Sequence, residues 1–363
     1  MLAGASPKLL TLVDRIKGLL YGNAIGDAVG LATEFMDKPT AKAVYKDVFD
    51  DATFEYPMIH QDRHRVRWKK GDWTDDTDQM ILILRGLLAS PDLKPSAADF
   101  GVRLNKWGRE GFPEVGDWGG LGIGYTVLSV LRHKLFAENP HAAAHAVWLQ
   151  SGAYLAANGS LMRGSVLGVP HFFDPDAVVK DTLEVSLATH ADPRCTASAI
   201  AVTHAVSMML RGDSLDPAEL TAAASDVALK YLTPTPSVPT PRPGSYEREA
   251  AVADFAKHMA AASFAELHLD EDHAIGYVYK CLGSAFVALR DPRPFRQVMC
   301  DLVKEAGDAD TNGAVAGALL GCRVGYAALP ASWLDTMPDK YFLDDHVDRF
   351  LLKLIPTIPA AFL

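Results

Sequence analysis

Two rows of glycines spaced four residues apart restrict the fold of this chain more than any other feature. The rows are Gly22, Gly26 and Gly30 near the start, and Gly313, Gly317, Gly321 and Gly325 near the end. A glycine inside a helix costs roughly 1 kcal/mol relative to alanine. A row along one helix face is therefore best explained by a second backbone packed against it. We expect these two helices to pack directly on each other; the alternative is that each row packs on a different neighbour.

An antiparallel arrangement of these helices would bring distant acidic residues together. The first helix is expected to begin with Ser6 as its cap and Pro7 at its first position. Its far end, followed by Glu34, would then lie beside the start of the second helix, at residues 307–312. Alternation with a period of two residues is almost absent from the chain, which predicts an all-α fold.

The segment 71–78, with the sequence Gly-Asp-Trp-Thr-Asp-Asp-Thr-Asp, is the densest group of acids and hydroxyls in the chain. An apolar run follows it, so it is expected to open a helix capped by Thr74 or Asp72. Adjacent Asp75 and Asp76 repel each other unless one is protonated or a cation lies between them. Oxygen ligands without nearby Cys or His suit magnesium, manganese or calcium. The alternative is an ordinary acidic first turn.

A second segment of the same character, 307–312, reads Gly-Asp-Ala-Asp-Thr-Asn and also precedes an apolar helix. We predict that the two segments face each other as halves of a dinuclear metal site. They lie on opposite sides of the proline-rich stretch 233–244, which is the best candidate for a domain boundary. Because the halves must meet, we predict one domain over residues 1–363, with 233–244 as an exposed surface loop.

Charge and composition exclude several classes of function. The formal net charge of −10 argues against broad binding of nucleic acids or anionic membranes. The basic stretch 63–70 is a local exception, expected to be a solvated loop, with a phosphate-facing role as the alternative. Four scattered cysteines indicate a reducing compartment. We found no secretory signal and no apolar run of membrane-spanning length. We therefore expect a cytoplasmic monomer, with the nucleus as the alternative location.

Further segments are candidates for ligand contacts. The glycine-rich turn 116–126 precedes an apolar helix and would offer backbone N–H groups to an anion. Asn158-Gly159-Ser160 forms a predicted turn, and His190 stands just before the helix start at Asp192-Pro193. For His190 the alternative is a histidine that only caps or packs.

Taken in order, these segments resemble the ADP-ribosylglycohydrolase family, the kin of dinitrogenase-reductase-activating glycohydrolase. The likeness covers about residues 14–330. The residues that carry it are Gly22, Asp27 and Glu34, followed by the segments 71–77, 158–163, 189–193 and 307–311. The resemblance implies a single-domain orthogonal multi-helix bundle with two divalent cations, Mg²⁺ or Mn²⁺, in a central cleft.

The resemblance also assigns roles to residues. It places metal ligands at Thr74, Asp75, Asp76, Asp308, Asp310 and Thr311, and catalytic groups at Glu34, Asp75 and Asp76. It places contacts to the substrate at Gly120, Gly122, Gly124, Asn158, Gly159, Ser160 and His190. Glu34 would be the acid/base group, and the three glycines would form a diphosphate loop.

The implied activity is metal-dependent hydrolysis of the glycosidic or 1″-ester bond between ADP-ribose and a modified target. The alternative is a non-catalytic ADP-ribose binder or a crystallin-like structural protein on the same fold. One departure concerns Gly122, where arginine-directed bacterial relatives are expected to carry Asp; arginine, serine and O-acyl linkages therefore stay open. A prenyl-diphosphate enzyme is disfavoured, because Gln79 replaces the last acid of its Asp-Asp-x-x-Asp motif.

Overall fold

The computed structural model describes residues 6–233 and 242–363, and every regular element in these ranges is a helix. The predicted all-α class is confirmed. The α-helices, in chain order, are α1 (Pro7–Gly30), α2 (Lys38–Tyr45), α3 (Asp75–Ala89), α4 (Ala97–Glu110), α5 (Tyr125–Leu131), α6 (Pro140–Gln150), α7 (Pro175–Ser186), α8 (Pro193–Arg211), α9 (Pro217–Ala228), α10 (Arg248–Met259), α11 (Val278–Arg290), α12 (Phe295–Val303), α13 (Ala309–Val324), α14 (Ala331–Thr336) and α15 (Lys340–Leu354). Residues 234–241 of the predicted proline-rich loop lie outside the described residues.

Helix α1 is the central element of the bundle. Ser6 caps it by accepting a hydrogen bond from the Leu9 backbone N–H at 3.1 Å, and Pro7 occupies its first turn. From Gly18 to Gly30 every residue of the helix is buried. A helix buried on all sides lies inside the core, so the elements around α1 are placed by their contacts with it.

The two glycine rows face each other along α1 and α13, as predicted. A Cβ atom added to Gly22 would lie 2.2 Å from the carbonyl oxygen of Gly317, and one on Gly26 would lie 1.9 Å from that of Gly313. The pairing of an earlier glycine with a later one shows that the helices are antiparallel. Gly325 differs from the rest of its row, because it follows the end of α13 with a φ of +85°.

This packing brings the end of α1 against the start of α13. The backbone N–H of Phe35 donates to the Gly307 carbonyl at 2.7 Å, and the N–H of Gly307 donates to the Met36 carbonyl at 2.9 Å. The reciprocal pair of hydrogen bonds fixes the residues that follow α1 against those that precede α13. The acids on both sides of this junction are therefore held at short range.

Helix α3 is anchored to α4 through a partly buried acid. Asp78 accepts hydrogen bonds from the indole N–H groups of Trp73, at 2.8 Å, and Trp107, at 3.0 Å. Burial is the largest cause that raises the pKa of Asp78 well above its usual value. The two indoles satisfy its oxygens and orient the first turn of α3.

The sequence also predicts helices over residues 140–157, from 161 and from 272, and the structure differs at each of these places. Helix α6 ends at Gln150, the segment from 161 is a turn with a short 3₁₀ segment, and α11 begins at Val278. The intervening segments pair with each other instead: the Asn158 N–H donates to the Gly276 carbonyl at 3.1 Å. A single β-bridge joins Ala157 and Tyr277. In the described ranges, every helix is too short or too polar to cross a membrane.

Replacing Gly26 with alanine should destabilise the protein by about 3 kcal/mol or more, because the new methyl group would overlap the Gly313 backbone. Thermal or denaturant unfolding measures this. Gly108→Ala is the matched control: Gly108 lies inside α4, and the one atom within 4 Å of its added Cβ is the end of the Ile123 side chain. We expect the control to be neutral or more stable, by up to about 1 kcal/mol. Equal stability of Gly26→Ala and the wild type would contradict the close packing of α1 on α13.

Candidate metal centre and substrate cleft

Asp27, an acid inside α1, organises the start of α3. Its carboxylate accepts hydrogen bonds from the backbone N–H groups of Thr74, at 2.9 Å, and Thr77, at 3.0 Å, and from the Thr77 hydroxyl at 2.7 Å. Thr74 occupies the N-cap position, but its side chain makes no capping bond. Among the described residues, the Asp72 carboxylate accepts only from the neighbouring Trp73 N–H. Thr74 is therefore the N-cap residue, as predicted, but the capping hydrogen bonds come from Asp27 on another helix and not from the side chain of Thr74 or Asp72.

The first group of acids lies between α1, α3 and α13. One carboxylate oxygen from each of Asp27, Asp76 and Asp310 lies within 4.8 Å of the others, and all three residues are buried. The Thr74 hydroxyl donates to Asp76 at 3.0 Å and lies 3.4 Å from Asp310. The second oxygen of Asp76 is buried and has no hydrogen-bond partner among the described residues. Buried oxygens in this arrangement leave a donor or cation to be supplied from outside the chain.

A second group of acids shares Asp310 with the first. One oxygen each from Glu34, Asp308 and Asp310 also lie within 4.8 Å of one another. Thr311 is buried beside them, and its backbone N–H donates to Asp310 at 2.9 Å. Two sets of three carboxylates that share one residue, Asp310, are the arrangement expected for two adjacent cations.

Electrostatics in the cleft favours a bound cation. Burial, as the largest cause, raises the pKa of Asp27 to about 7 and that of Asp308 to about 6. Burial and then the neighbouring carboxylates raise the pKa of Asp75, Asp76 and Asp310 well above the usual value. Carboxylates that resist ionisation in this way are stabilised by a divalent cation, and an all-oxygen donor set suits magnesium or manganese. The residues present therefore fit the predicted metal centre.

Asp75 stands beside these groups rather than in either of them. Its Oδ2 accepts a hydrogen bond from the Gln79 side-chain amide at 2.8 Å. Its Oδ1 lies 2.2 Å from the position of a Cβ atom added to Gly122, which has a φ of +90°. Only glycine fits there, for reasons of both space and backbone conformation. Asp75 is thus buried under the glycine-rich turn, and its role as a metal ligand stays a prediction.

The other two glycines of the turn have different surroundings. A Cβ atom on Gly120 would meet the Trp107 ring at 2.9 Å, whereas one on Gly124 would meet no atom within 4 Å. Gly124 occupies the N-cap position of α5. The turn therefore approaches the cleft at Gly122, and its contact with a diphosphate stays a prediction.

The turn Asn158-Gly159-Ser160 reaches the second group of acids. The Asn158 side-chain amide donates to Asp308 at 2.7 Å. Gly159 faces the imidazole of His190, whose Nε2 would lie 3.2 Å from an added Cβ atom. The structure thus brings Asn158, Gly159, Ser160 and His190 together. Ser160 and His190 each carry a buried polar atom, the hydroxyl oxygen and Nε2 respectively, without a hydrogen-bond partner among the described residues.

A cavity of about 530 Å³ opens next to this turn. Its lining includes Tyr154, Arg194, Asp254 and Tyr277. Gly276, also in the lining, separates the cavity from the acids, because a Cβ atom on Gly276 would lie 3.5 Å from Asp308. A partly aromatic cavity therefore lies beside the second group of acids, on the other side of Gly276.

Sequence reasoning missed the contribution of the basic stretch. His64 Nε2 lies 2.5 Å from a carboxylate oxygen of Glu34. Arg65 is buried, and its Nε donates to the backbone carbonyls of Leu31 and Ala32 at 2.8 and 2.9 Å. The expectation of a solvated loop is wrong for these residues, which hold the segment that carries Glu34. No pattern in the sequence pairs a histidine with a glutamate thirty residues away.

Asp27 belongs to the family pattern, but the sequence alone gives it no role. The available signal is an acid inside the glycine-rich, apolar half of the helix, because an acid in such a setting needs partners.

The sequence matches the model of the family described as ADP-ribosylglycohydrolase over residues 8–358. The chain belongs to the ADP-ribosylglycohydrolase family. This finding agrees with the resemblance inferred from the motifs, and the match extends beyond the range of 14–330 expected from them.

Relatives and a solved structure agree with this assignment. ADP-ribosylarginine hydrolase Tri1 of Serratia proteamaculans (strain 568) is 24% identical over 326 residues, which cover 90% of this chain and 75% of the relative. ADP-ribosyl-[dinitrogen reductase] glycohydrolase of Rhodospirillum rubrum is 22% identical, over 96% of both chains. A solved structure titled ADP-ribosylglycohydrolase-related protein complex has a TM-score of 0.66 and 22% identity. It covers 95% of this chain and 100% of the other, and supports the fold.

Metal should stabilise the protein more at high pH than at low pH. Because folding raises the pKa of Asp27 from 3.8 to about 7 and that of Asp308 to about 6, the metal-free folded state binds more protons than the unfolded chain between about pH 4 and 7. The free energy of unfolding without metal therefore falls as the pH rises through this range. A cation that binds the ionised carboxylates offsets this loss.

Thermal unfolding in EDTA and in MgCl₂, at pH 5 and at pH 8, measures the effect. We expect a larger increase in Tm with magnesium at pH 8, and a smaller increase in Asp310→Asn, which removes the acid shared by both groups. The same increase at both pH values would contradict a metal site built from these acids.

Proposed function

We propose that this protein hydrolyses the bond between ADP-ribose and a modified target, with two divalent cations, Mg²⁺ or Mn²⁺, as cofactors. The observation that carries the proposal is that the two groups of acids share Asp310. Their members come from three separate parts of the chain and are held together by the packing of α1 on α13. Membership of the family supplies the reaction class.

The proposed ligands of the cations are the predicted set together with one addition. The set is Thr74, Asp75, Asp76, Asp308, Asp310 and Thr311, and the addition is Asp27, which the structure places in the first group of acids. When bound, such cations lower the pKa of coordinated water and stabilise developing negative charge on oxygen. Asp27 has two tasks in this proposal, because it also caps α3.

Glu34 is the proposed general acid and base. It is buried at the junction between α1 and α13, and its carboxylate lies against His64 and within the second group of acids. A carboxylate in this position can accept the proton of an attacking water or donate one to the leaving group. A positioned group of this kind contributes ~10²–10⁴-fold to the rate. His64 and Arg65 would hold Glu34 and its backbone in place.

The remaining predicted residues would bind ADP-ribose. We propose that the backbone of Gly120, Gly122 and Gly124 contacts the diphosphate. The turn Asn158-Gly159-Ser160 and His190 would contact phosphate and ribose oxygens. The cavity of about 530 Å³ beside Gly276 has room for the nucleoside.

The cleft admits more than one type of linkage. Gly122 has no room for a side chain, so this position offers no carboxylate that would pair with a guanidinium. A relative that matches 90% of this chain is named an ADP-ribosylarginine hydrolase. Arginine, serine and O-acyl linkages are therefore all included in the experiment that tests the proposal.

Peptides carrying ADP-ribose on arginine, on serine or through an O-acyl ester are incubated with the protein and MgCl₂, and released ADP-ribose is measured by mass spectrometry. We expect release from at least one linkage, abolished by EDTA and reduced at least about 100-fold in Asp310→Asn. Asp226→Asn is the matched control, because it makes the same chemical change on the exposed surface of α9. Equal release by Asp310→Asn and the wild type, or release that EDTA leaves unchanged, would contradict the proposal.

A further inference from the structure

Arg163 is a fully buried cation that has no carboxylate partner among the described residues. It is 0% exposed, and its guanidinium lies 4.6 Å from the centre of the Phe100 ring. Burial lowers its pKa to about 9. A buried guanidinium held by neutral groups is costly compared with an apolar side chain of similar size. The contacts of the guanidinium therefore indicate the role of Arg163.

Both ends of the guanidinium donate to neutral oxygens. Nη1 donates to the Gln79 side-chain carbonyl at 2.6 Å, and Nη2 donates to the Thr189 hydroxyl at 2.5 Å. Arginine has donors only, so Gln79 Oε1 and Thr189 Oγ1 must both act as acceptors. One charged group thus determines the direction of hydrogen bonding on two sides of the cleft.

On the Gln79 side, the donor–acceptor order set by Arg163 also determines the hydrogen bond to Asp75. Because Gln79 Oε1 faces Arg163, the Gln79 NH₂ group faces the other way and donates to Asp75 Oδ2 at 2.8 Å. The reverse orientation of the amide would place two oxygens together. Arg163 thereby fixes both the amide of Gln79 and the carboxylate that lies under Gly122.

On the Thr189 side, the donor–acceptor order set by Arg163 also determines the hydrogen bond to His190. The Thr189 hydroxyl accepts from Arg163 and, among the described residues, has His190 Nδ1, 2.7 Å away, as its one other partner, so its own hydrogen is directed to Nδ1. A neutral imidazole that accepts at Nδ1 carries its proton on Nε2. Burial and then the nearby Arg163 lower the pKa of His190 well below the usual value, which keeps the ring neutral.

In the part of the chain that the structure describes, the proton on Nε2 has no acceptor. His190 is 2% exposed, and its Nε2 lacks a hydrogen-bond partner among the described residues. The atom faces Gly159, where an added Cβ atom would lie 3.2 Å from it, so a side chain at this position would crowd Nε2. A buried donor of fixed direction, aimed at a position without a side chain, is suited to an oxygen of a bound ligand.

We propose that Arg163 is a positioning residue with two effects. Through Thr189 it fixes the Nε2–H tautomer of His190, which then donates a hydrogen bond to a hydroxyl or phosphate oxygen of the substrate. Through Gln79 it orients Asp75. The tautomer follows from the structure of the free protein, whereas the identity of the ligand as ADP-ribose rests on the proposed function.

The tautomer is measured first, in the free protein without metal. Histidine is labelled with ¹⁵N, and the His190 signals are assigned by their absence from His190→Gln. We expect the chemical shifts of Nδ1 and Nε2 in the wild type to identify a neutral ring protonated at Nε2. Thr189→Ser keeps a hydroxyl and should retain this tautomer, whereas Thr189→Val and Arg163→Met should lose the preference. A wild-type ring protonated at Nδ1, or an unchanged tautomer in Thr189→Val, overturns the proposal.

Binding of ADP-ribose is measured second, by calorimetry in the presence of MgCl₂. We expect Thr189→Val to bind ADP-ribose about tenfold more weakly or worse, and Thr189→Ser to bind within a few-fold of the wild type. Equal affinity of Thr189→Val and the wild type overturns the role of His190 as a donor. Failure of every variant and the wild type to bind ADP-ribose contradicts the proposed function, while the tautomer of the free protein still decides the positioning role of Arg163. Far-ultraviolet circular dichroism checks that Thr189→Val and Arg163→Met are folded.

Discussion

The direct contact between the backbones of α1 and α13 is the interaction on which the rest of the structure depends. Glycines on both helices allow the carbonyl of one to occupy the space that a side chain on the other would fill. The antiparallel direction places the end of α1 at the start of α13, and the hydrogen bonds between Phe35, Met36 and Gly307 lock that junction. This junction brings the carboxylates of Glu34 and Asp308 together.

This arrangement concentrates negative charge inside the protein. Asp27, Asp76 and Asp310 are buried at short range, and burial raises the pKa of each. Such a cluster destabilises the fold unless protons or cations neutralise it. The glycine packing supplies the rigidity that holds the acids together despite their repulsion. The acids that lower the stability of the metal-free protein are therefore the same acids that fit bound cations.

Features that repeat along the chain were predictable from the sequence. The glycine rows indicated which two helices touch, and an antiparallel arrangement, which the rows alone do not require, would place Glu34 beside Asp308. The composition of the segments 71–78 and 307–312 indicated that their acids would face each other, and the structure brings Asp76 and Asp310 together. Each of these predictions rests on local composition and on the spacing of residues along a helix.

Contacts between distant residues that share no pattern were not predictable. The cap that Asp27 provides for α3 depends on how α1 and α3 cross, and spacing along the chain does not encode this. The contact of His64 with Glu34 and the links from Arg163 to Asp75 and His190 depend on the paths of loops. The boundary errors near Gln150 and Val278 have the same origin, because pairing between residues 157–158 and 276–277 overrides the local preference for helix.

The most direct test of this account is an anomalous difference map from a crystal of the protein soaked in MnCl₂. The account predicts two manganese peaks in the cleft, one among Asp27, Asp76 and Asp310 and one among Glu34, Asp308 and Asp310. A single peak remote from these acids, or a cleft without any peak at saturating manganese, would contradict it.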